Sequence, residues 1–350
     1  MKRAISRDDL EACVYGGAIL GGGGGGFVEP GLRTARLALD AGVPQLWTID
    51  EFDDEDLTTT VALVGAPAAP DPMITPANSI RALQLLTQHL GDRLVAIHPN
   101  ENGSETSVNG WFQSALTGLP VLDFACNGRA HPSSVMGAMG LHLVEGYRSV
   151  QTYAGGHPHN YVEGLTSGSL DGAAGIVRRA SMEAGGWVGV ARNPVTIGHA
   201  KTNGAVGAIS RAIDLGRAYL EGGLSGAVTA LGARIVAEGT VADYAIKQEE
   251  GLDVGKVVLD DPSSTTLHFV NEYMVAEAGA TRLGSFPELI MTFDDQGVPV
   301  PSGHVQAGQQ IQVMIAPTSS MALSPTMFMP DLFKPLEEAI GIQFAPTGHA

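Results

Sequence analysis

Cysteine is nearly absent. Cys13 and Cys126 are the two thiols in 350 residues, too few for a disulfide framework, and they point to a reducing compartment, expected to be the cytoplasm. Aromatic residues are scarce at 6 %, and 20 Lys and Arg stand against 37 Asp and Glu, for a net charge of −17. That balance argues against nucleic acid and anionic membrane as partners. It leaves room for a small anionic substrate held by a local Arg or Lys. No apolar run reaches the ~18 residues that a spanning helix needs. The amino terminus, basic at Lys2 and Arg3, turns acidic at Asp8 and Asp9 before any hydrophobic run, so no secretory signal is expected. What remains is 44 % apolar, with 46 glycines set among apolar segments. Such a composition builds a substantial core with tight turns. At this length two domains are expected.

The pattern along the chain divides near residue 164. Through 1–164, helical spacing over 8–20, 29–41, 76–90 and 105–117 alternates with short apolar runs at Leu46–Ile49, Val61–Gly65, Arg93–His98 and Pro120–Leu122. Alternating strands and helices predict an α/β domain with a mainly parallel, helix-covered sheet. The second domain, 165–350, opens with helices within 169–221. From about 224 to 316 it turns to short β-rich runs punctuated by Gly, Pro and Asp, predicting a small barrel or sandwich, and it ends in a helix over 330–341.

Chemistry concentrates after the run Pro120-Val121-Leu122. Within nine residues, Asp123, Cys126, Arg129 and His131 supply a carboxylate, a thiol, a guanidinium and an imidazole. Open α/β sheets place ligands at such strand-to-turn junctions, and Ser133 and Ser134 can cap a following helix. Cys126 is a candidate nucleophile, its thiolate favoured by Arg129 nearby; the alternative is a small buried hydrophobe. His98-Pro99-Asn100-Glu101-Asn102 follows another predicted strand, offering Glu101 as general base or metal ligand and Asn102 as a donor to a carbonyl or oxyanion. The same residues also suit a solvated loop. His157 and His159 form a His-x-His pair that can hold zinc or a similar divalent metal, given a third ligand from elsewhere. Lys201 is a candidate substrate contact. Six glycines, Gly21 to Gly26, lack the Lys-Ser/Thr and the leading strand of a phosphate loop. They read better as a turn that lets a ligand approach the backbone at Gly23 and Gly24, and no nucleotide is expected.

On its Gly-rich segment at 16–26, Gly128-Arg129-Ala130-x-Pro132, Gly207-Ala208-Ile209-Ser210-Arg211-Ala212 and Pro287-Glu288-Leu289-Ile290, the chain resembles the S-methyl thiohydantoin desulfurase family over nearly its whole length. Many members carry a second acid two residues past the position of Asp123, where this chain has Ala125. The resemblance implies an α/β first domain, a β-rich second one, and hydrolysis at a five-membered cyclic amide or thioamide with methanethiol leaving. Attack then falls to Cys126 or to a water on a metal at His157 and His159. Arg129 would stabilise charge or hold a carboxylate, Asp123 would orient an imidazole or act as base, and His131 would move a proton. The expected partners are a small heterocyclic molecule and further copies of the chain. Two other readings stand beside this one: a non-catalytic subunit of a hydantoinase or oxoprolinase, and a nucleotide-binding protein using the glycine run.

Overall fold

A computed structural model describes residues 1–65, 73–249 and 252–344. The chain begins with β1 (Lys2–Ala4), α1 (Arg7–Leu20), α2 (Val28–Ala41), β2 (Gln45–Trp47) and β3 (Leu57–Gly65). It continues through α3 (Pro76–Leu90), β4 (Leu94–Pro99), α4 (Trp111–Thr117), β5 (Val121–Leu122) and β6 (Phe124–Ala125). Then come β7 (Ser149–Gly155), β8 (Val162–Gly168), α5 (Leu170–Glu183), β9 (Trp187–Thr196), α6 (Ile197–Asn203), β10 (Ala205–Val206) and α7 (Ala208–Leu231).

The first sheet has the order β1-β2-β5-β4-β3-β9-β7-β8. Only β2, β5, β4 and β3 run parallel; β1 and the three strands beyond β3 are antiparallel. The sheet is therefore mixed, not mainly parallel. The reason lies in the connections: α3 and α4 each carry the chain back to start a parallel strand, whereas β7 and β8 are joined by a tight turn that permits only antiparallel pairing. The sheet also draws β9 from beyond residue 164. Side chains alternate across it. Ile97 and Val121 enter a core with Leu10, Val14, Leu83 and Trp111. Ala96 and Leu122 enter another with Phe124, Cys126 and Met139.

Helix α1 follows the acidic start read from the sequence. Asp9 accepts from the Ser6 backbone at 2.8 Å and pairs with Arg3 and with Arg217 of α7, at 2.6 and 2.7 Å. The crossing of α1 and α7 is close because Gly16 and Gly216 sit at it; a Cβ on either would overlap the other helix's backbone. The helix expected over 105–117 is broken into a single turn at Thr106–Val108 and α4, with Gly110 between them at φ 93°. No α-helix follows Ser133 and Ser134. Met139 and Gly140 take positive φ there, leaving two short 3-10 turns at Met136–Ala138 and Leu141–Leu143.

The second sheet comprises β11 (Arg234–Glu249), β12 (Leu252–Asp260), β13 (Thr265–Val270), β14 (Glu272–Ala278), β15 (Thr281–Ser285), β16 (Leu289–Asp294), β17 (Pro299–Val300) and β18 (Gln310–Ala316). All its pairings are antiparallel, in the order β15-β14-β13-β12-β11-β18-β16-β17. It is one eight-stranded sheet, with no barrel closure among the described residues. Helix α8 (Lys334–Ile340) packs on β12 and β13, where Phe333 and Leu336 join Val270, Met274 and Phe286, with Met136 from the loop after β6. No described helix is long and apolar enough to cross a membrane.

Candidate active site

At Pro99 strand β4 ends, and the chain turns at Asn100 and Glu101, at the carboxyl end of the parallel strands. The turn after β6 is laced to it: the Asn127 N–H donates to the Asn100 carbonyl at 2.9 Å, and Glu101 bridges Asn127. Glu101 thereby faces His131. Its Oε2 accepts from the His131 backbone N–H and lies 3.3 Å from Nε2 of the ring. Nδ1 of that ring lies 3.0 Å from the Ser133 carbonyl, which can only accept, so Nδ1 carries the proton. Nε2 is then the lone-pair nitrogen, and it accepts from Asn100 Nδ2 at 3.2 Å. Arg192 Nη2 donates to Asn100 Oδ1 at 3.5 Å. Gly137 covers the ring, and a Cβ there would come within 2.7 Å of both the imidazole and Asn100.

Electrostatics sort these groups. Burial pushes Glu101 up to about 7, opposed in part by the His131 N–H and the Arg192 charge. Burial pushes His131 down to about 4 and also lowers Arg192. At neutral pH the imidazole is uncharged and Glu101 is divided between its two forms, the condition for moving protons. Arg129 reaches across to the second sheet, where Nη1 donates to the carbonyls of Pro287 and Glu288 at 3.2 and 2.6 Å. Its guanidinium carbon stands 4.8 Å from the centre of the Phe286 ring. The site therefore lies where the two sheets meet.

Family models cover the chain on both sides of this junction. The model described as S-Me-THD-like, N-terminal domain, matches residues 8–157, and the one described as S-Me-THD-like, C-terminal domain, matches residues 170–328. The chain belongs to the S-Me-THD-like family, that of the S-methyl thiohydantoin desulfurases. No curated protein matches it. A crystal structure of a protein from Chromobacterium violaceum is similar over 96 % of both chains, with a TM-score of 0.73 and 22 % identity, a likeness of fold.

Within this family fold, Glu101, Arg129 and His131 come together, and the other expected residues do not join them in the same way. Cys126 is fully buried among Leu122, Phe124 and Met139, its sulfur 3.2 Å from Thr60 Oγ1. Burial pushes the thiol up to about 11, so it keeps its proton at neutral pH. Arg129, expected to favour the thiolate, spends Nη1 on the second sheet. Asp123 accepts from the Ser210 N–H and hydroxyl at 2.8 and 2.6 Å, capping α7 with both oxygens. Asn102 donates to the Ala208 and Gly128 carbonyls and accepts from Ser107, so its amide holds the framework. Lys201 pairs with Asp54 at 2.7 Å on α6. The Gly23 carbonyl accepts from the Ser302 N–H at 3.0 Å, and Gly24 lies against Glu272.

His157 and His159 stack at 5.4 Å in the β7–β8 turn. Arg192 pairs with Gln151 of β7, so the turn lies roughly 15 Å farther along the strands than Arg192. Among the described residues no group of three or more His, Cys, Asp and Glu is placed to hold a metal ion. The sequence reading missed Arg192, Asn100 and Glu272. Asn100 directly precedes Glu101 in the sequence. Arg192 is hidden in the sequence because Asn193 and Pro194 directly after it are turn-forming residues, although β9 runs on to Thr196.

Proposed function

We propose that the chain is a hydrolase of S-methyl thiohydantoins or closely related five-membered heterocycles, and that Glu101 carries the proton transfers. The observation that carries this reading is a buried carboxyl held near 7 beside a neutral imidazole, at the junction of the two family domains. Family membership supports the substrate class. Ionised Glu101 takes a proton from water, whose oxygen bonds to the ring carbon bearing sulfur. The electron pair of that C=N bond moves to the ring nitrogen, where the nearby Arg192 guanidinium offsets the charge. The C=N bond re-forms as the C–S bond breaks, and the proton held by Glu101 passes to sulfur. One water is consumed, and methanethiol and hydantoin leave. His131 and Asn100 are positioning residues that hold the carboxyl in place.

The alternative nucleophile, the Cys126 thiol, is disfavoured by its full burial and its raised proton affinity. The test is thiol release from S-methyl thiohydantoin by the Glu101→Gln protein. Removing a proton-transfer group is expected to cost about 10²–10⁴ in kcat. A variant with near-normal turnover would overturn the assignment.

A further inference from the structure

Two buried ionisable side chains at the same junction, one of them a carboxyl whose proton affinity burial raises well above the usual range, are left with unused hydrogen-bonding capacity. Arg129 is 0 % exposed, and after Nη1 has donated to the Pro287 and Glu288 carbonyls its Nε and Nη2 have no partner. Glu272, the first residue of β14, is 3 % exposed, and its Oε2 has none either. Among the described residues no ion pair joins them. The electrostatic influence of Glu101 nevertheless reaches both. Buried donors and acceptors are as a rule satisfied, and leaving one unmade is destabilising. Three such atoms on two neighbouring ionisable side chains mark a place for a polar group.

The wall around this place is the glycine run. A Cβ on Gly22 would come within 2.6 Å of Arg129 Nη2, and one on Gly24 would overlap the Glu272 carboxyl. Gly22 and Gly23 take φ of 58° and 99°, and their carbonyls accept from the Tyr273 N–H of β14 and the Ser302 N–H just after β17. A stretch without side chains is thus pinned across both ionisable groups.

We infer that Arg129 and Glu272 form a clamp that reads the cis-amide edge of the ring, Arg129 donating to the ring carbonyl and Glu272 accepting from the adjacent ring N–H. The inference rests on the hydrolase reading above and names how that site selects its substrate. Nε–H and Nη2–H lie on one edge of a guanidinium and point the same way, a donor pair for one carbonyl oxygen. An open-chain amide is trans, with C=O and N–H on opposite sides. A five-membered ring forces them onto the same side, as a donor and an acceptor side by side. A clamp with donors on one arm and an acceptor on the other complements the closed ring and rejects its open-chain counterpart. Each arm comes from a different domain, so the site is complete only when the two halves are together.

The test uses the full-length Glu101→Gln protein, which binds without turning over, and titrates hydantoin by calorimetry. Hydantoin is expected to bind. Hydantoin methylated on its imide nitrogen and the open-chain ureido acid are each expected to bind at least tenfold more weakly. Adding Glu272→Gln or Arg129→Lys is expected to weaken hydantoin at least tenfold and to shrink the discrimination, with circular dichroism confirming that the variants fold. If a variant does not fold, the ligand comparison on Glu101→Gln alone decides. Tight, equal binding of all three ligands, or unchanged affinity in a folded clamp variant, overturns the clamp and leaves the hydrolase reading standing. Failure of hydantoin to bind either wild type or Glu101→Gln overturns both.

Discussion

Glu101 is costly where it sits. Its ordinary value is 4.5, and burial raises it to about 7 in the folded chain. The native state therefore holds that proton more tightly than the unfolded one. Stability from this group is complete below about 4.5 and declines as pH rises through 7. Glu101→Gln is accordingly expected to stabilise the protein by about 1–3 kcal/mol at pH 8, with little change at pH 4. Urea denaturation at the two values checks this, and equal effects at both would contradict it. Under the proposed reaction, the same burial is expected to give thiol release an acid limb near 7, because water activation would need the ionised form. His131, held near 4, adds no limb between 5 and 8.

Glu101 was legible in the sequence because a charged residue directly after a predicted strand is where open sheets keep their chemistry. Cys126 was misleading for a related reason. Its sequence neighbours are polar, but the two-residue strand Phe124–Ala125 just before it turns its side chain inward beside Phe124. Linear neighbourhood and spatial neighbourhood part company at such a kink.

At the scale of elements, Asp123 spends both carboxylate oxygens on the start of α7. The pairing of β6 with β10 brings Ala208 and Ser210 over it, and the Gly207 N–H donates to its backbone carbonyl at 2.8 Å. Asp123→Asn keeps an oxygen for the Ser210 N–H and is expected to turn over within about threefold of wild type. Asp123→Ala leaves the start of α7 uncapped and is expected to lose about 1–2 kcal/mol. Thermal melts beside the thiol-release assay separate the two. A Asp123→Asn protein that folds normally yet has lost most of its turnover would return Asp123 to the chemistry.

Helices α1, α2, α3 and α5 were readable from apolar spacing and turn residues, and six of the eight strands of the second sheet from their β-branched runs. Strands β15 and β17 were not, being short and rich in Gly, Pro and Arg. The break before α4 was missed because Gly110 sits inside an otherwise helical pattern.

For the whole molecule, the decisive feature is that neither sheet holds the site alone. Glu101, His131 and Arg192 come from the first sheet and its loops, Glu272 and the carbonyls that fix Arg129 from the second, and the glycine run lies between. Glu272 was invisible in the sequence for this reason. It lies 171 positions from Glu101 and opens an ordinary strand, and only the packing of β14 on Gly22–Gly24 gives it meaning. The most direct measurement is a crystal structure of the full-length Glu101→Gln protein with hydantoin bound. The ring is expected between the Arg129–Glu272 pair and residue 101, with Cys126 still behind Thr60. A ring seated in the His157–His159 turn, or in contact with the Cys126 sulfur, would contradict the account.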